Sequence, residues 1–182
     1  MFEKTDEQLV TKALQGSKSA WLKLVKRYEK PIYNYGIRMT SSPDDALDLM
    51  QEIFISVFRN LSTFKGQGTF KAWLFRIASY RCVEYYRKKK PTQGLDDIPE
   101  AACESALPEQ VLLMNNNNQQ LIGAMQQLPL AQKAVVELKF FGQFTFDEIA
   151  EQLNVSSNTV KSRLYSALEK LKTLLEETYV EA

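Results

Sequence analysis

Between Phe64 and Lys90 the chain sets two glycines in a short loop, then a helix-length run dense in aromatic rings, and finishes on the four consecutive cations "RKKK". Trp73, Arg76, Tyr80 and Arg87 fall at i, i+3, i+7 and i+14, which puts rings and guanidiniums on one side of a helix. A stripe of that kind holds single-stranded nucleic acid, because every base has a π-face for a ring to stack on while Lys and Arg track the backbone charge. The competing reading is structural, with the rings in a core and "RKKK" a solvated helix end whose cations complement the dipole. Phe70, Leu74, Phe75, Ile77, Cys82 and Tyr86 cannot all face out, so the core takes several of them. The loop "FKGQGTF", Phe64 to Phe70, carries glycines that permit positive φ and let a base approach the backbone closely.

A second constellation lies in "TFDEIAEQLNVSSNTVKSRLYSALEKL". Thr145 with Glu148 forms a capping box, and Ser156 caps a longer helix after a short turn, so two tightly joined helices follow one another. On the longer helix Val160, Leu164, Ala167, Leu168 and Leu171 share a face. Asn158, Ser162, Tyr165 and Ser166 lie opposite, with Lys161 and Arg163 at the margins. Short polar side chains flanked by cations suit base edges and phosphates in a major groove; a solvated amphipathic helix of a bundle has the same pattern. A third constellation is acidic. In the helix that opens at "SPDD", Leu47, Met50, Phe54, Val57, Phe58 and Leu61 form an apolar face, and Asp45, Asp48, Glu52, Ser56 and Arg59 sit opposite. Ile55, with Gln51 beside it, lies toward the polar side, which fits a protein partner or a merely solvated surface.

Composition removes other classes. The 182 residues include no histidine and only two cysteines, Cys82 and Cys103, so neither the usual metal-ligand sets nor a disulfide framework can be assembled, and a reducing compartment is expected. No phosphate-binding loop or catalytic constellation is present, and neither a cofactor nor a metal is expected. The net charge of +1 averages over basic and acidic clusters that must be judged segment by segment. The N-terminus lacks a basic start followed by an apolar run, and no apolar segment reaches membrane-spanning length, so a cytoplasmic protein without direct membrane insertion is expected.

The elements that must position these residues are helices throughout. A capping box at Thr5 and Gln8 opens the first, which runs to about Gln15 before Gly16. A second spans Ser17 to Met39. The third uses Ser42 as cap and Pro43 at its first position, and continues to about Leu61. The fourth runs from Phe70 to Lys89 and stops at Pro91. Residues 91–110 hold three prolines and a glycine with little periodicity, the composition of a linker. After it, the Asn-rich run at Asn115 to Gln120 is a poor helix former, and helices follow at Pro129 to Phe141, Thr145 to Leu153, and Ser157 to about Glu177. The expected fold is all-α: two small helical domains joined by a flexible linker, the C-terminal one containing a helix-turn-helix.

In order along the chain, "DDALDLMQEIFISVFRNL", "TFKGQGTFKAWLFRIA", a linker, "QLPLAQKAVVELKFF" and "TFDEIAEQLNVSSNTVKSRL" resemble an extracytoplasmic-function sigma factor of the sigma-70 family, from about Thr5 to Glu176. The resemblance implies a non-enzymatic promoter-recognition subunit of bacterial RNA polymerase. It implies a region 2 domain over residues 1–90, a linker over 91–110 and a region 4 domain over 111–182. Asp45, Asp48, Gln51, Glu52 and Ile55 would dock on the clamp helices of the largest polymerase subunit. The region 4 domain would meet the flap of the other large subunit, and the linker would thread toward the RNA exit path. The loop Phe64 to Phe70, with Phe64, Lys65, Thr69 and Phe70, would receive a flipped base of the minus-ten element, and Lys71 would join the minus-ten contacts. Trp73, Arg76, Tyr80 and Arg81 would hold melted or fork DNA, with Arg87 and Lys88 on the duplex just upstream. Asn158, Thr159, Lys161, Ser162, Arg163, Tyr165 and Ser166 would contact the minus-thirty-five element.

Two positions depart from that pattern. Asn158 stands where similar proteins commonly have Gly, which suits left-handed backbone geometry if the site needs it. Ser166 occupies a position that is often Arg, so promoter preference is not transferable from a relative. The chain ends soon after the recognition helix, from which signal input through an anti-sigma factor is expected. The alternative is a stand-alone helix-turn-helix regulator that binds duplex DNA without polymerase.

Overall fold

A computed structural model describes residues 4–89 and 116–180. The linker assigned to 91–110 and Cys103 lie outside the described residues. Among those described, every regular element is helical: α1 (Asp6–Leu14), α2 (Lys18–Thr40), α3 (Pro43–Asn60), α4 (Phe70–Lys89), α5 (Asn116–Gln126), α6 (Leu130–Val136), α7 (Phe146–Leu153) and α8 (Ser157–Val180). The fold is all-α, as the punctuation predicts.

Local chemistry sets most boundaries. Thr5 and Gln8 close a reciprocal capping box, Gln8 N donating to Thr5 Oγ1 at 3.4 Å and Thr5 N to Gln8 Oε1 at 3.2 Å. Ser17 Oγ accepts from Ala20 N at 3.3 Å, and Ser42 Oγ accepts from Asp45 N at 3.3 Å with Pro43 in the first turn. The Thr145–Glu148 box is likewise closed, at 3.2 and 2.8 Å. Two segments differ from what local propensity suggests. The Asn-rich run enters α5 despite its propensity, because tertiary packing of Ile122, Ala124 and Met125 outweighs a few tenths of a kcal/mol per residue, an order-of-magnitude figure. The Pro129–Phe141 segment is not one α-helix: after Val136 it widens into a π-helical turn over Glu137–Phe141.

The first four helices pack around Leu9, Leu24, Ile32, Tyr35, Met39, Ile53, Phe70 and Leu74, and α2 and α3 cross closely enough that a Cβ at Gly36 would stand 3.0 Å from Ala46. The buried side chains of α5–α8, with Met125, Leu138 and Ile149 at their centre, join the same continuous cluster. The two helical units therefore lie against each other. Phe75 of α4 meets Phe144 edge-on at 5.4 Å between centroids, and Lys71 Nζ donates to Gly142 O at 2.8 Å.

Polar groups fix that docking. Arg38 Nε and Nη2 donate to Glu137 Oε2 and Oε1 at 2.6 and 2.7 Å, a bidentate pair between α2 and the π turn. Burial pushes the Glu137 carboxyl above its ordinary pKa, and the guanidinium opposes that shift. Beside it Lys133, 4% exposed, donates to Gln126 Oε1 at 2.8 Å, Tyr86 OH at 3.2 Å and Met39 O at 3.3 Å. An ammonium has three protons, and here each has an acceptor, which is what makes its burial tolerable.

Candidate nucleic-acid interface

The loop after α3 is shaped by its glycines. Gly66 and Gly68 have φ of +72° and +78°, and a Cβ at either would meet nothing within 4 Å, so the constraint is backbone geometry and not space. Thr69 Oγ1 accepts from Ala72 N at 3.1 Å and starts α4. Under the loop, Phe64, Phe70 and Trp73 form a ring cluster with centroids 5.5 to 5.7 Å apart, and Tyr28 supports Phe70 at 5.6 Å. Phe70 is 2% exposed. It is therefore the floor of the loop and not a surface for a base, which corrects its placement among the contact residues. Phe64 and Trp73 are half-buried above it, and Lys65 and Thr69 are exposed.

Along α4 the predicted stripe separates by depth. Arg76, Tyr80, Arg87 and Lys88 are exposed, and Trp73 and Arg81 are half-buried. Arg81 is occupied structurally, its Nη1 pairing with Glu84 at 2.7 Å and its Nη2 donating to Ser56 Oγ at 3.1 Å. Lys71 reaches across to the second unit, as described above. A cleft of about 700 Å³ runs along the loop and α4. Its opposite wall is α7, which contributes Glu148, Glu151 and Gln152. Acids thus face the basic stripe across the cleft. No sequence signal marks them, because their placement depends on how the two units dock.

The face of α3 is rotated from the expectation. Ala46, Leu49, Ile53, Ser56 and Val57 are the buried positions, whereas Leu47 and Phe58 are 42% and 61% exposed. Ser56 goes inward because it accepts from Arg81; Phe58 stays out but leans on Trp21, with centroids 5.1 Å apart. The outward surface is then Leu47, Asp48, Gln51, Glu52, Ile55 and Phe58, more apolar than the sequence pattern indicates. Asp45 accepts from Lys89 at 2.8 Å; burial opposes its ionised form, but the hydrogen bonds and charge of Lys89 outweigh it and lower the carboxyl's pKa. Glu52 and Lys88 stand 3.8 Å apart, a loose surface pair.

In the second unit, Asn154 closes α7 in left-handed geometry at φ 54°, and Ser156 Oγ accepts from Thr159 N at 3.1 Å to open α8. Ser157 Oγ donates to Asp147 Oδ1 at 2.5 Å and ties the two helices together. Asn158, Lys161, Ser162, Tyr165 and Ser166 are exposed on one side of α8, with Thr159 and Arg163 half-buried. Asn158 lies inside the first turn of α8 and not in left-handed geometry, so the change from Gly needs no special backbone there. Leu168, assigned to the apolar face, is 37% exposed, at that face's edge.

The pattern of sigma-70 region 2 matches residues 24–92, and that of sigma-70 region 4 matches residues 118–171. The ECF RNA polymerase sigma factor SigW of Bacillus subtilis is 31% identical over 176 residues, covering 90% of this chain and 92% of that protein. The chain belongs to the extracytoplasmic-function sigma factors of the sigma-70 family. The ECF RNA polymerase sigma-E factor of Escherichia coli K12 is 28% identical over 177 residues, with 92% of each chain covered. Among solved structures, CnrH in complex with the cytosolic domain of CnrY has the same fold, with a TM-score of 0.71 at 22% identity over 96% of this chain and 99% of that one. The sigma factor RpoE of Bartonella quintana, in complex with the anti-sigma factor NepR, gives 0.65 at 21% identity over 85% and 95%. As a sigma factor the protein is not an enzyme; it acts with core RNA polymerase at promoter DNA in transcription initiation. Among the described residues no helix is long and apolar enough to cross a membrane.

Proposed function

We propose that residues 1–90 act as the region 2 domain, binding core polymerase and opening the minus-ten element, and that residues 111–182 act as the region 4 domain on the minus-thirty-five element, with 91–110 between them. The observation that carries this is the glycine loop set on a floor of rings beside the exposed Arg76, Tyr80 and Arg87. Loop and stripe together offer a socket for one unstacked base and a track for the strand that leaves it. The outward face of α3, apolar at Leu47, Ile55 and Phe58 and acidic at Asp48 and Glu52, has the composition of a protein-docking surface and is assigned to the polymerase clamp helices. The exposed polar side of α8 is assigned to the duplex major groove. The protein works in the cytoplasm, where polymerase is, and an anti-sigma factor is its proposed regulator, in line with the partner of the Bartonella quintana relative.

Run-off transcription on genomic promoter fragments tests the reading: transcripts are expected only when core polymerase and this chain are both present. Tight sequence-specific duplex binding by the chain alone, without any gain in promoter selection by polymerase, would instead establish a stand-alone regulator. Permanganate reactivity of thymines in the opened region locates the strand along α4.

A further inference from the structure

A second cavity, about 540 Å³, lies where α4 meets α6, α7 and α8. Its size falls within the range of small-molecule sites, roughly 300–1,000 Å³. Met39, Val83, Leu130 and Leu153 give it an apolar lining from both helical units. At its margin stand Arg76 and Arg87 of α4 and Arg163 of α8, against one acid, Glu151. Arg76 and Arg87 have no ion-pair partner among the described residues. The exposed ring of Tyr80 lines the cavity between these cations.

Gln152 supplies the independent sign of a missing ligand. It is 8% exposed, it lines this cavity, and neither its Oε1 nor its Nε2 has a hydrogen-bond partner among the described residues. A buried carboxamide left without partners costs on the order of 1–3 kcal/mol per group, and native proteins leave few such groups unexplained. A carboxamide offers one donor and one acceptor side by side, the pair that matches the N6 and N7 edge of adenine.

We propose that this cavity binds an adenine nucleotide, with the base against Tyr80 and the Gln152 carboxamide and the phosphates on Arg76, Arg87 and Arg163. The proposal rests on the sigma-factor reading for its consequence: a ligand gripped by both units holds them together, and it occupies three cations that the promoter-bound form needs elsewhere. The nucleotide therefore favours the docked arrangement at the expense of DNA binding.

Isothermal titration of the full chain with ATP tests this, with adenosine and inorganic pyrophosphate as the two halves of the ligand. One saturable site is expected for ATP, with affinity at least about tenfold above either half, since base and phosphate contacts add. Gln152→Leu and Arg87→Ala are each expected to weaken ATP by about tenfold or more, while circular dichroism of both variants keeps the wild-type helix content. Absence of ATP binding at millimolar concentration overturns the proposal, as does equal retention by both variants or binding of pyrophosphate as tight as that of ATP. Titration is read on the free chain, so it is separate from transcription with core, whose failure would count against the sigma-factor reading alone.

Discussion

Removing the Arg38 guanidinium should open the chain without unfolding it. Glu137 is 1% exposed at its side chain and receives both guanidinium hydrogen bonds, so Arg38→Ala leaves a buried carboxylate unpaired. Breaking a buried pair from one side costs about 3–5 kcal/mol. Much of that cost is avoidable: the two residues belong to different helical units, and separation returns the carboxylate to water. The docked-to-open equilibrium then shifts by roughly two to three and a half decades. The other docking contacts are worth less singly, the Phe75–Phe144 edge contact about 0.5–1.5 kcal/mol beyond its area. Small-angle scattering is expected to report a larger radius of gyration for Arg38→Ala, while circular dichroism keeps the wild-type helix content. The double variant Arg38→Met with Glu137→Leu removes both charges and keeps volume, and should return to the docked dimensions. An Arg38→Ala chain as compact as the wild type, with a coupling energy to Glu137 near zero in the double-mutant cycle, would refute the reasoning.

Tyr80→Ala removes an exposed ring, so thermal stability should move by no more than about 0.5 kcal/mol, while promoter opening read by permanganate weakens by about 1–3 kcal/mol; Trp73→Ala should lose both opening and stability, because that ring also packs on Phe64 and Phe70. Ile55→Ala and Phe58→Ala are expected to weaken core binding in a competition assay, with opening by the assembled holoenzyme unchanged. Lys161→Ala should lower affinity for all upstream sequences alike and reduce the slope of log K against log salt by about 0.9, whereas Tyr165→Ala should change which upstream sequence is preferred. Burial pushes the Cys82 thiol up to about 12, so it stays a neutral thiol at any working pH. In a Cys103→Ser background the native chain should leave Ellman's reagent unreacted at pH 8 and release one equivalent of thiol only after denaturation.

What was legible in the sequence was what local chemistry determines. The caps at Thr5, Ser42, Thr145 and Ser156 set helix starts by hydrogen bonds within one turn, and all four are in place. The exposed stripe at Arg76, Tyr80 and Arg87 followed from helical spacing alone. Reading α3 required more, because Leu47 and Phe58 are as apolar as Leu49 and Ile53, and periodicity cannot choose between two apolar arcs that overlap. The choice is made by contact partners: Arg81, arriving from α4, turns Ser56 inward, and Ala46 is drawn under Gly36 where the two helices nearly touch. An apolar residue left outside by such a choice marks a surface whose complement is another molecule, which is why the error on α3 points toward the docking face and not away from it.

The same reasoning applies to the docking of the two units. Arg38, Lys133 and Glu137 look in the sequence like ordinary helix charges; docking pairs Arg38 with the buried Glu137 and gives the buried Lys133 acceptors on Met39 and Tyr86 beside Gln126. Apolar faces alone would hold the units together with little preference for register. Charges that are satisfied in one register and stranded in any other select that register, and they also let the units part, since each charged group regains water on opening. Gln152, by contrast, is buried with no hydrogen-bond partner for its carboxamide among the described residues, and the docked state is therefore the one that stands to gain from a ligand.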